Sequence, residues 1–154
     1  MTEIATLTRR IERRTVLVVE DNAEWRDAIT RILEIDFEVI GYVEHGDEIV
    51  TIARNLRPDL VTLDVSIPGL SGLMALPELR AELPSAGIVI LTTISSKPYV
   101  EEAFRRGADG YVLKNRALRD LIPALASAGS RTESGFGTPN RLRPDSATGS
   151  VPLS

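Results

Sequence analysis

Thr15-Val16-Leu17-Val18-Val19-Glu20-Asp21-Asn22 is a run of β-branched and aliphatic residues that stops abruptly at two acids and an amide. The run is long enough for a strand and too short for a buried helix. It is apolar at successive positions rather than at alternate ones, which predicts a strand covered on both faces. Asp21 and Asn22 can cap a following helix. Ala23 to Ile35 supplies one, because Ile29, Ile32 and Leu33 recur at helical spacing with Trp25 and Ala28 on or near the same face.

The same alternation continues downstream. Phe37 to Val43 reads as a second strand and Asp47 to Leu56 as a second helix. Leu60-Val61-Thr62-Leu63, introduced by Pro58-Asp59, is a third strand. A third helix is expected over Gly72 to Leu83, with Pro77 inside it lacking the N–H that would bond back one turn. Ile88 to Leu91 is a fourth strand, and Pro98 to Arg106 a fourth helix with proline at its start and Gly107 at its end. Tyr111-Val112-Leu113 is a short fifth strand. Ala117 to Ala128 is a fifth helix, which Pro123 should bend or delay. Five strand-then-helix units make an α/β domain with a parallel sheet between two helical layers.

The flanks differ. Residues 1–14 carry Arg9, Arg10, Arg13 and Arg14 and are expected to be a solvated, flexible arm. Residues 129–154 are rich in Gly, Ser, Thr and Pro without periodicity, as in a disordered tail or a truncated linker. That leaves 15–128 as one domain. The chain has 154 residues, 43% apolar and 26% charged, the composition of a globular protein. Absence of cysteine excludes disulfides, thiol catalysis and cysteine-based zinc sites. His45 is the single histidine and is expected in an exposed turn, which leaves no basis for a histidine-rich metal site. A net charge of -4 implies no large nucleic-acid face. Neither a signal peptide nor a membrane-spanning apolar stretch is apparent, so a cytoplasmic location is expected.

Polar residues cluster at the C-terminal ends of strands. The first ends in Glu20-Asp21, the third in Asp64, the fourth in Thr92-Thr93 and the fifth in Lys114. Ligands of open parallel sheets bind at those ends, near the point where strand order reverses. With strand order 2-1-3-4-5, strands one, three, four and five are contiguous, and the strand that contributes nothing lies at the edge. Three carboxylates in one pocket repel one another unless compensated. A divalent cation and one lysine together balance them. Magnesium suits oxygen ligands and a phosphate. Asp64 can then serve as nucleophile toward a phosphoryl group. Magnesium on Glu20, Asp21 and Asp64, the Lys114 ammonium and the Thr92 hydroxyl can each hold one phosphoryl oxygen. The chain has only two lysines, Lys97 and Lys114, against sixteen arginines. A lysine kept at the fifth strand end fits a compact point charge in a crowded site.

Taken in order, Val18-Val19-Glu20-Asp21-Asn22, Pro58 to Asp64, Ile67-Pro68-Gly69 with Gly72, Ile90-Leu91-Thr92, and Gly107 to Lys114 resemble the response-regulator receiver family. This is the chemotaxis-regulator-like, flavodoxin-like (βα)5 three-layer sandwich. The resemblance covers about Thr15 to Ala128. Gly107 to Leu125 is most similar to receivers that precede a helix-turn-helix output. The resemblance implies Asp64 as phosphoacceptor, Glu20 and Asp21 as metal ligands with the carbonyl of Ser66, and Thr92 with Tyr111 as a switch pair. It implies a signalling module rather than an enzyme, at most one that catalyses its own phosphotransfer and aspartyl-phosphate hydrolysis. A sensor histidine kinase or phosphotransfer protein would be its donor. Phosphorylation would reshape the face of helix four, strand five and helix five, which could also pair two copies in a homodimer.

Three positions depart from the family's commoner pattern. Glu20 replaces an aspartate and keeps the charge, Ser71 stands where an acid is frequent, and Thr93 stands where alanine is frequent. A haloacid-dehalogenase-like phosphatase would need a second aspartate two residues after Asp64, and that position is Ser66. A DNA-binding regulator is the alternative reading, its output domain absent from this sequence, since nothing after Ala128 shows a recognition helix. A receiver that is no longer phosphorylated would not need the intact site.

Overall fold

The computed structural model describes residues 13–134. The expected N-terminal arm up to residue 12 and the expected tail from residue 135 onward lie outside the described residues. Strands β1 (Thr15–Val19), β2 (Glu38–Val43), β3 (Leu60–Leu63), β4 (Gly87–Thr92) and β5 (Gly110–Leu113) form one sheet in the order β2-β1-β3-β4-β5. Every neighbouring pair is parallel. Helices α1 (Ala23–Leu33), α2 (Ile49–Leu56), α3 (Gly72–Glu82), α4 (Lys97–Arg105) and α5 (Ala117–Ser134) connect and flank the strands. Short 3-10 turns at Gly46–Glu48 and Lys114–Arg116 lead into α2 and α5.

Why the strands are apolar at successive positions is visible in the two cores. Val16 and Val18 of β1, Val89 and Leu91 of β4 and Val112 of β5 pack under α1 and α5, against Ile29, Leu33, Leu121 and Leu125. The alternate residues Leu17, Val19, Val61, Leu63, Ile88 and Ile90 pack on the opposite face, against Ile49 and Ala53 of α2, Leu76 and Leu79 of α3 and Val100 of α4. Side chains of a strand alternate between faces, so a strand buried on both sides must be apolar throughout.

Several boundaries differ from those expected. α1 ends at Leu33, with Glu34 as its C-cap, and Ile35 is 73% exposed in the following turn. β2 begins at Glu38; Phe37 instead donates its N–H to the Leu33 carbonyl and tucks its ring into the core. α5 runs through Pro123, which is exposed, and past the expected end at Ala128 to Ser134. A helix already seated through Leu121, Leu125 and Ala128 adds each residue at the cost of one more set of dihedrals for one more bond. The roughly 1 kcal/mol penalty of Gly129 relative to alanine does not stop it. His45 is exposed just before Gly46, as expected.

Pro77 sits mid-helix in α3 and remains helical. Its missing N–H would have bonded the Leu73 carbonyl. The Arg106 guanidinium donates to that carbonyl instead, at 3.2 Å, so no acceptor is abandoned. A second arginine ties the same region together. Arg80, at the end of α3, donates to the carbonyls of Leu83, Ala86 and Gly107 and pairs with Asp109 at 2.6 Å. Asp109 Oδ2 also accepts from the Ile88 N–H, which anchors the start of β4. Gly107 takes φ +121°, a backbone conformation that favours glycine, and presents its carbonyl to Arg80.

Removing the guanidinium takes the cationic partner from the Asp109 carboxylate and a donor from several carbonyls. Arg80→Met should therefore lose about 3 kcal/mol of stability. A urea titration should show the midpoint falling at constant slope; a midpoint equal to that of the wild type would contradict this account of the α3–β4–β5 corner.

Candidate functional site

The sheet places the acids together through its backbone ladder. Val19 pairs with Leu63, and the Asp64 N–H donates to the Val19 carbonyl at 3.1 Å. Glu20 and Asp64 thus leave adjacent strands at the same edge. On the other side, Thr92 pairs with Leu113, so Lys114 follows beside the end of β4. From β2 comes only a backbone carbonyl, Val43, which accepts from the Glu20 N–H at 2.8 Å. Strands β1, β3, β4 and β5 are contiguous, as the sequence reading expects.

Charge is concentrated and largely buried here. Glu20 is 1% exposed, Asp64 4% and Lys114 8%. Lys114 Nζ donates to Asp64 Oδ2 at 2.9 Å and lies 2.8 Å from Glu20 Oε1, a charge contact outside good hydrogen-bond alignment. The Ser66 N–H donates to Asp64 Oδ1 at 2.9 Å, and the Asn22 N–H to Glu20 Oε2 at 3.2 Å. Burial pushes the Glu20 carboxyl above its ordinary pKa, with the Asp64 charge adding to the rise, against the lowering by the Lys114 ammonium and the Asn22 N–H. Burial disfavours the Lys114 ammonium, but its two carboxylate partners outweigh that and raise its pKa.

Carboxylate oxygens of Glu20, Asp21 and Asp64 all lie within 4.8 Å of one another, with Asp21 exposed. Three negative charges face one ammonium, which leaves a deficit of two positive charges. Glu20 Oε1 is buried without an aligned hydrogen bond. An oxygen-rich pocket open on the Asp21 side, short of two positive charges, fits a hard divalent cation.

The remaining expected residues fall around this cluster. Thr92 is fully buried at the end of β4, and its hydroxyl accepts a long 3.5 Å contact from the Ile94 N–H. Ser66 is exposed beside Asp64. Tyr111 points inward with no exposure, and its hydroxyl donates to the Ile94 carbonyl at 2.6 Å. Burial raises its pKa, with smaller contributions from Tyr99 and Asp64. Thr92 and Tyr111 therefore meet at Ile94, one through its N–H and the other through its carbonyl. Ser71, where an acid is frequent in the resembling family, caps α3 by accepting from the Met74 N–H.

Two further residues shape the site, and only one of them, Gly72, is among the motif residues quoted from the sequence. Gly72 begins α3 so close to the acid-bearing loop that a Cβ there would lie 2.8 Å from the Asp64 carbonyl and 2.9 Å from Val65 Cα. The sequence reading names it with Ile67-Pro68-Gly69 but not this close approach. Trp25, which the spacing places on or near the apolar face of the first helix, is half-buried, but its ring also lies 5.0 Å from Lys114 Nζ. Nothing local links two residues so far apart in the chain.

Comparison with known proteins agrees with this architecture. The family model "Response regulator receiver domain" matches residues 16–126. The nitrate/nitrite response regulator protein NarL of Escherichia coli is 35% identical over 116 residues, covering 74% of this chain and 54% of NarL. Response regulator GacA of Pseudomonas aeruginosa is 35% identical over 112 residues, 71% of this chain and 52% of its own length. The chain thus spans about half the length of these relatives. Among solved structures, a LuxR-family two-component response regulator from an Aurantimonas species superposes with TM-score 0.73 at 26% identity, covering 77% of this chain and 86% of that one. The response regulator domain of Thermotoga maritima CheB gives 0.72 at 25% identity, covering 77% and 98%. With the family model matched from the first strand to the fifth helix, the chain belongs to the response regulator receiver domain family of two-component signalling.

Proposed function

We propose that Asp64 is the phosphoacceptor and that its phosphorylation is the signal this domain carries. The observation that supports this most is the arrangement of Asp64 itself. One oxygen is held by the Ser66 N–H and the other by the Lys114 ammonium, in a pocket with two further acids. In the proposed transfer, a carboxylate oxygen of Asp64 forms a bond to phosphorus as the bond from phosphorus to the donor breaks. The donor would be a phosphohistidine of a sensor kinase or phosphotransfer protein. Lys114 then holds a phosphoryl oxygen rather than the free carboxylate, and the Thr92 hydroxyl another. Bound Mg2+, held by Glu20, Asp21, Asp64 and the Ser66 carbonyl, would neutralise the negative charge that gathers on the phosphoryl oxygens.

This makes the chain a signalling module that modifies itself rather than an enzyme acting on a separate substrate. Thr92 and Tyr111 are the proposed switch pair, joined through Ile94 at the head of the loop that leads into α4. The face of α4, β5 and α5 would carry the change to a partner or to a second copy. Among the described residues no helix is long and apolar enough to cross a membrane, and a cytoplasmic location goes with this reading. A second reading is favoured by coverage: this chain matches only about half of NarL and GacA, and LuxR-family regulators are among its structural neighbours. The domain would then be the receiver of a longer DNA-binding regulator.

Incubation with Mg2+ and acetyl phosphate should add a single phosphoryl mass to the intact protein, and Asp64→Asn should add none. Equal uptake by that variant would remove Asp64 from its role. Lys114→Met should bind Mg2+ yet take up phosphoryl at least tenfold more slowly, as expected for loss of one charged donor worth about 1.5–3 kcal/mol. An unchanged uptake rate would contradict the place given to Lys114.

A further inference from the structure

Lys114 Nζ is surrounded on three sides. Glu20 Oε1 lies at 2.8 Å, Asp64 Oδ2 at 2.9 Å, and the ring of Trp25 at 5.0 Å from its centroid. An ammonium has three donors. One is donated to Asp64, a second side makes the charge contact with Glu20, and the third side faces the π-surface of an indole. Trp25 is well placed for this. It stands in the first turn of α1, its N–H bound by the Asn22 cap at 2.8 Å, immediately after the acids of β1. Its ring packs on the same core as Ile29, Leu33 and Ala117. The cap thus holds the backbone of Trp25 and the core packs against its ring, whereas the lysine side chain is long and flexible.

We propose that Trp25 is a positioning residue for Lys114, its indole face holding the ammonium at the mouth of the phosphoacceptor site. The inference rests on the phosphoacceptor reading of Asp64. Phosphoryl transfer requires the ammonium to leave a carboxylate oxygen for a phosphoryl oxygen nearby. A flexible lysine released from Asp64 can instead swing outward, because a cavity of about 380 Å³ bounded by Trp25, Ile32, Lys114 and Leu118 lies beside it. The ring keeps a favourable surface against the ammonium in both arrangements. A cation–π contact also tolerates sliding better than a directed hydrogen bond does, and it strengthens where water is excluded.

The test compares three proteins: wild type, Trp25→Phe and Trp25→Leu. Phenylalanine keeps an aromatic face, and leucine keeps apolar bulk without one. All three are first checked for equal folding by far-UV circular dichroism and urea midpoint. The rate of Mg2+-dependent phosphoryl uptake from acetyl phosphate, a donor too small to need a docking surface, is then measured as a function of donor concentration. In parallel, the Lys114 side-chain methylene resonances next to Nζ are followed by NMR. The expected result is a fall of about tenfold in the saturating rate for Trp25→Leu, with Trp25→Phe within about threefold of wild type. The upfield ring-current shift of the Lys114 methylenes should persist in Trp25→Phe and vanish in Trp25→Leu. Normal wild-type uptake with equal rates in Trp25→Leu and wild type would overturn this inference alone. No uptake by the folded wild type would overturn the phosphoacceptor reading, and this inference with it.

Discussion

The ammonium of Lys114 between the carboxylates of Glu20 and Asp64 is the constraint around which the rest of the molecule is arranged. Buried like charges at this spacing would push each other toward protonation, and one buried cation keeps them together. The contact joins the ends of β1, β3 and β5, which the order β2-β1-β3-β4-β5 brings to one edge with β4 between the last two. A site of this kind therefore cannot be assembled locally. It depends on the register that sets Val19 beside Leu63 and Thr92 beside Leu113. That register depends in turn on two apolar cores filled from alternate strand residues.

The surrounding structure supplies the precision that long side chains lack. Backbone N–H groups of Ser66 and Asn22 fix one oxygen each on Asp64 and Glu20. Gly72 lets α3 press against the loop that carries Asp64, closer than any side chain would permit. On the far side of the sheet edge, Thr92 and Tyr111 share Ile94, in the segment before α4. The corner beneath, where Arg80 gathers the carbonyls of α3 and of the Gly107 turn, is independent of the site and holds the scaffold to which the site is attached.

Much of this was legible in the residues. Apolar runs such as Val16 to Val19 and Ile88 to Leu91 announced buried strands, and acids placed directly after them announced the site. What escaped has physical causes. Pro77 looked like a defect in α3 because its remedy, the Arg106 guanidinium on the Leu73 carbonyl, comes from another helix. Ile35 fits the helical period yet lies beyond the C-cap, where hydrophobicity gives no warning. The stretch after Ala128 has the composition of a linker, but packing at Leu121 and Leu125 carries the helix on to Ser134. Trp25 fits an amphipathic helix equally well with or without a lysine above its ring, so its second contact could be seen only in three dimensions.

Chemical location of the modification tests the account most directly. The protein would be treated with acetyl phosphate and Mg2+, reduced with borohydride, and digested for tandem mass spectrometry. Borohydride converts an aspartyl phosphate to homoserine and leaves unmodified carboxylates as they are. The account predicts homoserine at position 64 and nowhere else. Homoserine at position 21, or phosphate retained on a hydroxyl such as that of Thr92, would contradict it.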